Sequence, residues 1–183
     1  MYVAQDAEDH ALVRRCLAGD TAAFEALVTQ HQRVFFTVAI RMLGNRDEAS
    51  DAVQNTFVKV YEKLDTFDRT RRFFSWAYRI LVNECLNVQR ARRPSEPIDD
   101  RLPAAGDPLE TLETGQRRQR VQAAVLALPM QSREVIVLRH FTGLSYEEIG
   151  EALHLPAHTV KSRLHTARQR LAQTLLGLEG RHE

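Results

Sequence analysis

The sequence predicts an all-α chain: two small helical domains joined by a flexible acidic linker, the second containing a helix-turn-helix. Three observations predict it. Apolar residues recur at three- and four-residue steps through most of the chain, the mark of one-sided helices. Strand-length alternation appears nowhere, so nothing supplies a sheet. Pro94, Pro97, Pro103, Gly106 and Pro108 crowd one stretch that lacks helical periodicity and carries six acidic residues against one basic. The chain therefore divides into residues 8–93, a linker over 94–115, and residues 116–178. A flexible linker leaves the relative placement of the two halves open.

The N-terminal elements follow from local signals. Ala11 to Ala18 reads as a short helix closed by Gly19. Asp20 or Thr21 can cap the next helix, whose apolar residues include Phe24, Leu27, Val28, Val34, Phe35, Val38 and Met42, and Gly44 ends it. Asp47 sits in the first turn of a third helix, where a negative charge suits the helix dipole. Val53, Phe57, Val60 and Leu64 are its apolar stripe. A fourth helix runs from about Arg72 to Arg92, aromatic at its start and ending in Arg90, Arg92 and Arg93.

The C-terminal half opens with a helix over Gln116 to Ala127. Pro129 starts a second, through Val135, Ile136, Leu138 and Phe141, stopped by Gly143. Ser145 with Glu148 three residues on is a capping box for a third, whose inner face is Ile149 and Leu153. After a break at His154 to Pro156 comes a fourth helix with the inner stripe Val160, Leu164, Ala167 and Leu171. At 100° per residue, His158, Ser162, His165 and Gln169 fall opposite that stripe. Lys161 and Arg168 flank the polar row on one side, Arg163 and Arg170 on the other. Residues 156–172 contain no acid. A short capped helix, a tight turn and a basic second helix make a helix-turn-helix, with small polar side chains over base edges and cations toward both phosphate walls. A basic amphipathic surface helix is the plain alternative.

Charge is segregated although the formal net charge is only +1. Residues 44–68 are net −3, residues 69–93 net +6, residues 94–115 net −5 and residues 116–183 net +4. Two basic blocks around an acidic one suit a polyanion, or are simply two solvated helix faces. Two cysteines, Cys16 and Cys85, make neither a disulfide framework nor a four-cysteine zinc site and point to a reducing compartment. No apolar run reaches membrane-spanning length, and residues 1–10 lack the apolar core of a signal peptide. A cytoplasmic protein without membrane insertion is expected. No nucleophile elbow, phosphate loop or metalloprotease motif is present. His154 and His158 have a proline between them and no cysteine or carboxylate near in sequence, which argues against zinc. No catalysis, metal or cofactor is expected.

Several motifs stand in a telling order. Leu128-Pro129, Ser132-Arg133-Glu134-Val135, Leu138-Arg139, Gly143-Leu144-Ser145-Tyr146-Glu147-Glu148-Ile149-Gly150 and Thr159-Val160-Lys161-Ser162-Arg163-Leu164 together resemble the −35-reading domain of bacterial sigma factors. Asp47-Glu48-Ala49 with Asp51-Ala52-Val53-Gln54-Asn55-Thr56-Phe57 resembles their core-polymerase-binding helix. Phe67, Phe73, Trp76, Tyr78-Arg79-Ile80 and Asn83 resemble their −10-reading and melting segment. Both domains without an intervening third resemble the extracytoplasmic-function group of the sigma-70 family.

That resemblance implies a sigma factor that binds bacterial core RNA polymerase and directs promoter-specific initiation. Asp51, Gln54, Asn55 and Val58 would face the polymerase clamp. Arg69, Arg71, Arg72, Trp76, Tyr78 and Asn83 would meet single-stranded −10 DNA, Asn83 contributing to a pocket for a flipped base. Arg90, Arg92 and Arg93 would contact phosphates. His158, Thr159, Lys161, Ser162, Arg163, His165 and Arg168 would read the −35 duplex. The acidic linker would thread toward the polymerase active centre, and an anti-sigma factor would be a further partner. An ordinary helix-turn-helix regulator is the competing reading, disfavoured because the first half matches the polymerase-binding pattern. The sequence departs from the family at His154, where a turn glycine is usual, at Gly150, at His158, and in the basic loop over residues 68–72.

Overall fold

The computed structural model describes residues 2–92 and 112–179, which form eight α-helices, two short helical turns and no strand. Four helices build the N-terminal half: α1 (Tyr2–Leu17), α2 (Thr21–Leu43), α3 (Arg46–Glu62) and α4 (Phe73–Ala91), with a 3₁₀ turn at Leu64–Thr66. The C-terminal half holds α5 (Leu112–Leu126), α6 (Met130–Val137), a π-turn over Leu138–Thr142, α7 (Tyr146–Leu153) and α8 (Ala157–Glu179).

Local chemistry sets most boundaries. Asp20 is the N-cap of α2, its carboxylate accepting from the Ala23 amide at 3.3 Å, and Arg15 holds that carboxylate below its ordinary range. Gly44 closes α2 in the left-handed region at φ 75°. Asn45 then caps α3, accepting from the amides of Asp47 and Glu48 at 2.9 and 3.0 Å. The core of the N-terminal half lies among α2, α3 and α4, where Phe35 stacks on Phe57 at 5.4 Å and Phe73 is fully buried. Lys59 of α3 reaches the buried Glu84 of α4 at 2.5 Å, so that carboxylate is paired.

The first helix begins at Tyr2 rather than Ala11. Its extra turns are held by contacts distant in sequence. Asp9 is fully buried and accepts from Gln30 Nε2 at 2.6 Å, with His31 Nε2 at 2.9 Å from the same oxygen. Asp6 pairs with Arg72 at 2.8 Å. The helix expected from Gln116 starts at Leu112, inside the span assigned to the linker. The rest of that span, residues 93–111 with all four prolines, lies outside the described residues, as does Arg93. The helix expected from Pro129 to Phe141 is α6 prolonged by the π-turn, in which the Thr142 hydroxyl donates to the Leu138 carbonyl at 2.6 Å.

The two halves pack on one another through the end of α2 and one side of α4. The Arg133 guanidinium is buried and donates across the junction to the Met42 carbonyl, and within its own half to the carbonyls of Leu126 and Leu128. Burial lowers its pKa to about 10, still cationic near neutral pH. Gln122 donates to the Ile40 carbonyl at 3.3 Å and accepts from Arg41, whose guanidinium lies 4.6 Å over the Phe141 ring. α7 packs against α4, where Glu148 pairs with Arg72.

Candidate polymerase and nucleic-acid interfaces

The third helix has two faces of opposite character. Ala52, Val53, Thr56, Phe57 and Val60 are buried, and the Thr56 hydroxyl is spent on the Ala52 carbonyl at 2.6 Å. Asp51, Gln54, Asn55 and Val58 are all exposed on the other side. Val58 is 56% exposed, and three residues on Tyr61 is 57% exposed, its ring edge-on to Phe24 at 5.0 Å. The polar stripe therefore ends in two neighbouring apolar side chains, a surface suited to a partner. Tyr61 was absent from the sequence-based set. The signal was available, because it continues the step of three from Val58.

The residues assigned to −10 DNA divide in the structure. Arg69 and Arg71 are exposed in the loop before α4. That loop is shaped by Asp68, which accepts from the amide and hydroxyl of Thr70 and is held below the usual carboxylate range by those bonds. Arg72 is the N-cap residue of α4 and is clamped between Asp6 and Glu148. Trp76 is half-buried against Phe67 at 5.1 Å and Phe73 at 5.9 Å, with part of its ring left outside the core. Asn83 is exposed and, with Arg79, lies on the same side of α4 as Trp76 by helical spacing.

Tyr78 is a correction. It is fully buried, stacked on Phe74 at 5.9 Å, and its hydroxyl has no hydrogen-bond partner. Burial pushes its pKa well above the ordinary phenol value, and Cys85 and Glu134 add to the rise. Glu134 belongs to the C-terminal half, so that half lies close enough to act on the phenol, and the enclosed ring offers no face to DNA in this arrangement. The sequence offered little warning, since α4 carries apolar residues on both sides of its start. Arg92 is a second correction. It forks onto Glu48 and donates to the Leu43 carbonyl at 2.7 Å, closing the end of α2 rather than facing a phosphate. Arg90 is exposed.

In the helix-turn-helix, the capping box forms as expected. Ser145 accepts from the Glu148 amide at 3.2 Å, and Glu148 accepts from the Ser145 amide at 2.6 Å. His154 closes α7 at φ 54°, the left-handed conformation that a glycine would adopt without strain. Gly150 has a separate reason. A Cβ there would lie 2.5 Å from the Leu155 carbonyl oxygen, so its absence lets the turn fold tightly over α7. Val160, Leu164 and Ala167 of α8 are buried, while His158, Lys161, Ser162, His165, Arg168, Gln169 and Arg170 are exposed and Thr159 is half-exposed.

Arg163 differs from its neighbours. Its Nη1 lies 3.0 Å from Oε1 of Glu134, and the arginine is half-buried. Burial pushes the Glu134 carboxyl up to about 7, and Arg163 opposes that rise. Arg163 thus anchors the base of α8 as well as bordering its outer face. Among the described residues no group of His, Cys, Asp and Glu could hold a metal ion, and His154 and His158 stand outside any such cluster. Burial also pushes the Cys85 thiol up to about 12, which leaves it unreactive near neutral pH. No described helix is long and apolar enough to cross a membrane.

Two family descriptions match in chain order: Sigma-70 region 2 over residues 27–94 and Sigma-70, region 4 over residues 118–171. The chain is 32% identical to the ECF RNA polymerase sigma factor SigW of Bacillus subtilis, over 91% of this chain and 96% of that protein. It is 34% identical to the RNA polymerase sigma-H factor of Pseudomonas aeruginosa, over 92% and 94% of the two chains. Among solved structures, CnrH in complex with the cytosolic domain of CnrY is similar at a TM-score of 0.75 and 29% identity, covering 93% of this chain and 98% of that one. The sigma factor RpoE in complex with the anti-sigma factor NepR from Bartonella quintana is similar at a TM-score of 0.67 and 26% identity, covering 83% and 96%. Buried stripes, capped turn, basic outer helix and both matched regions agree, and the chain belongs to the extracytoplasmic-function group of the sigma-70 family of RNA polymerase sigma factors.

Proposed function

We propose that this sigma factor docks on core RNA polymerase through the exposed stripe of α3 and directs initiation at promoters read by α4 and α8. The observation that carries the reading is the outer face of α8. Over residues 158–170 its exposed side chains are polar or cationic, no acid occurs over residues 156–172, and the helix follows a capped helix and a tight turn. His158, Thr159, Ser162 and His165 meet base edges of the −35 duplex, while Lys161, Arg168 and the outer edge of Arg163 meet phosphates. Arg69, Arg71, Trp76 and Asn83 receive the melted −10 strand, with Trp76 offering a stacking face and Asn83 an amide that both donates and accepts. Asp51, Gln54, Asn55, Val58 and Tyr61 meet the polymerase, the net −3 of residues 44–68 suiting a basic partner surface.

The working units are the N-terminal half, from α1 through α4, and the C-terminal half, from α5 through α8; the acidic segment between them, net −5 over residues 94–115, suits a path beside the nucleic-acid channels of polymerase. The chain works in the cytoplasm as an initiation factor and performs no catalysis itself. An anti-sigma factor is a further partner, a reading supported by the similar sigma factor RpoE having been solved with the anti-sigma factor NepR. Pull-down from the native host tests it, and recovery of polymerase with no second regulator counts against it.

Multi-round transcription with the purified chain, bacterial core polymerase and a fragment library tests the whole proposal. Transcripts sharing one −35 and −10 pair are the expected result. Tight binding to duplex promoter DNA without polymerase, together with no core binding, would support an ordinary regulator instead.

A further inference from the structure

A cavity of about 380 Å³, within the size range of small-molecule pockets, is left among α1, α2, the start of α4 and the π-turn. None of the residues proposed to meet polymerase or DNA lines it. Part of its wall is acidic: Asp6 and Asp9 stand one turn apart on α1, and the arginine beside them, Arg72, is already shared between Asp6 and Glu148. Another part is apolar, made by Val34 of α2, Phe74 of α4 and Phe141 of the π-turn. Asp9 is fully buried, and only one of its carboxylate oxygens is engaged. Oδ1 meets Gln30 Nε2 at 2.6 Å and His31 Nε2 at 2.9 Å, whereas Oδ2 is buried with no hydrogen-bond partner. Neighbouring donors are spent elsewhere, the Thr142 hydroxyl on the Leu138 carbonyl and Arg72 on its two carboxylates. A buried acceptor left unpaired costs free energy, and a donor entering from the cavity removes that cost.

We propose that this cavity binds a small organic monocation: a primary ammonium that donates to Oδ2 of Asp9, carried on an apolar body that packs against Val34, Phe74 and Phe141. An ammonium offers three donors and no acceptor, which suits a wall of carboxylate oxygens. An anion would face Asp6 and Asp9, and a wholly apolar ligand would leave Oδ2 unpaired. Phe141 belongs to the C-terminal half, so a bound amine touches both halves and raises the melting temperature in step with its concentration.

The test is titration calorimetry of the full chain with three probes near neutral pH: 2-phenylethylamine, which is protonated there; 2-phenylethanol, its neutral counterpart; and methylamine, the ammonium without the body. The expected result is one phenylethylammonium bound per chain. The alcohol and methylamine should each bind at least about tenfold more weakly, for want of the charge-assisted hydrogen bond in one case and of the buried ring in the other. Val34→Trp fills the cavity from a lining position that is 36% exposed and leaves Asp9 untouched. It should weaken amine binding about tenfold while the melting temperature of the unliganded chain stays unchanged. Asp9→Asn should erase the preference for amine over alcohol. Should that variant fail to fold, the three probes and Val34→Trp decide alone. The proposal is overturned if the amine does not bind the parent, if amine and alcohol bind it alike, or if Val34→Trp binds the amine as the parent does.

Discussion

Glu134 supplies a prediction whose sign and size follow from its surroundings. It is 8% exposed, and its carboxylate lies 3.0 Å from the Arg163 guanidinium. Desolvation outweighs that cation, so its pKa rises from 4.5 to about 7. For an acid, a folded-state pKa above the unfolded value means that the fold favours the neutral form. The resulting stabilisation is complete below about pH 4.5 and is lost as the pH climbs through about 7. At about 1.4 kcal/mol per pH unit, the rise corresponds to about 3 kcal/mol. The substitution Glu134→Gln keeps an oxygen acceptor for Arg163 but cannot ionise. At about pH 8 the variant should be more stable than the parent by up to that amount, or roughly 6–12 °C in melting temperature for a chain of this size. Near about pH 4.5 the two should converge. Calorimetric melts of both proteins across this range are the assay. Parallel curves, with a constant offset at every pH, would show that Glu134 titrates alike in the folded and unfolded states, so that Arg163 cancels the effect of burial.

Other outcomes follow from single contacts. His154→Gly should raise stability by about 0.5–1 kcal/mol in urea unfolding, since glycine adopts φ 54° without strain. Gly150→Ala should destabilise despite alanine's better helix propensity, because its Cβ meets the Leu155 carbonyl at 2.5 Å; a higher urea midpoint would contradict the close approach. Lys161→Ala and Arg163→Ala should separate: the first lowers the salt dependence of promoter binding at unchanged stability, while the second also costs about 1–3 kcal/mol by leaving Glu134 without its cation. Val58→Asp and Tyr61→Asp should weaken core-polymerase binding in competition assays while the thermal melt stays within a few degrees, because both side chains are exposed.

What the sequence made legible was local. Asp20, Gly44 and the Ser145–Glu148 box act within four residues of themselves, so their spacing reveals them directly. Burial of Val53, Phe57, Val60, Leu164 and Ala167 likewise follows from helical period alone. The outer stripe of α3 was readable for the same reason, as the complement of a buried one. The elements that resisted reading depend on partners far away along the chain. The early turns of α1 look polar and unstructured until Asp9 meets His31 and Asp6 meets Arg72, and nothing in residues 1–10 encodes those partners. Tyr78 and Arg92 carry residue types that suit nucleic acid, yet Tyr78 is enclosed and Arg92 is committed to Glu48 and Leu43. Residue type alone does not distinguish an arginine that caps a helix from one that awaits a phosphate.

The position of Trp76 gives the chain a built-in optical reporter. It is the only tryptophan, so indole emission comes from one place. That place is wedged against Phe67 and Phe73 on one side and the cleft beneath Glu151 and His154 on the other. Separation of the halves admits water to the indole and shifts its emission to the red. A nucleobase stacking on the same face quenches it. The two events would move different properties of one band, colour and intensity, so an unlabelled protein would report in a single stopped-flow trace which of them occurs first.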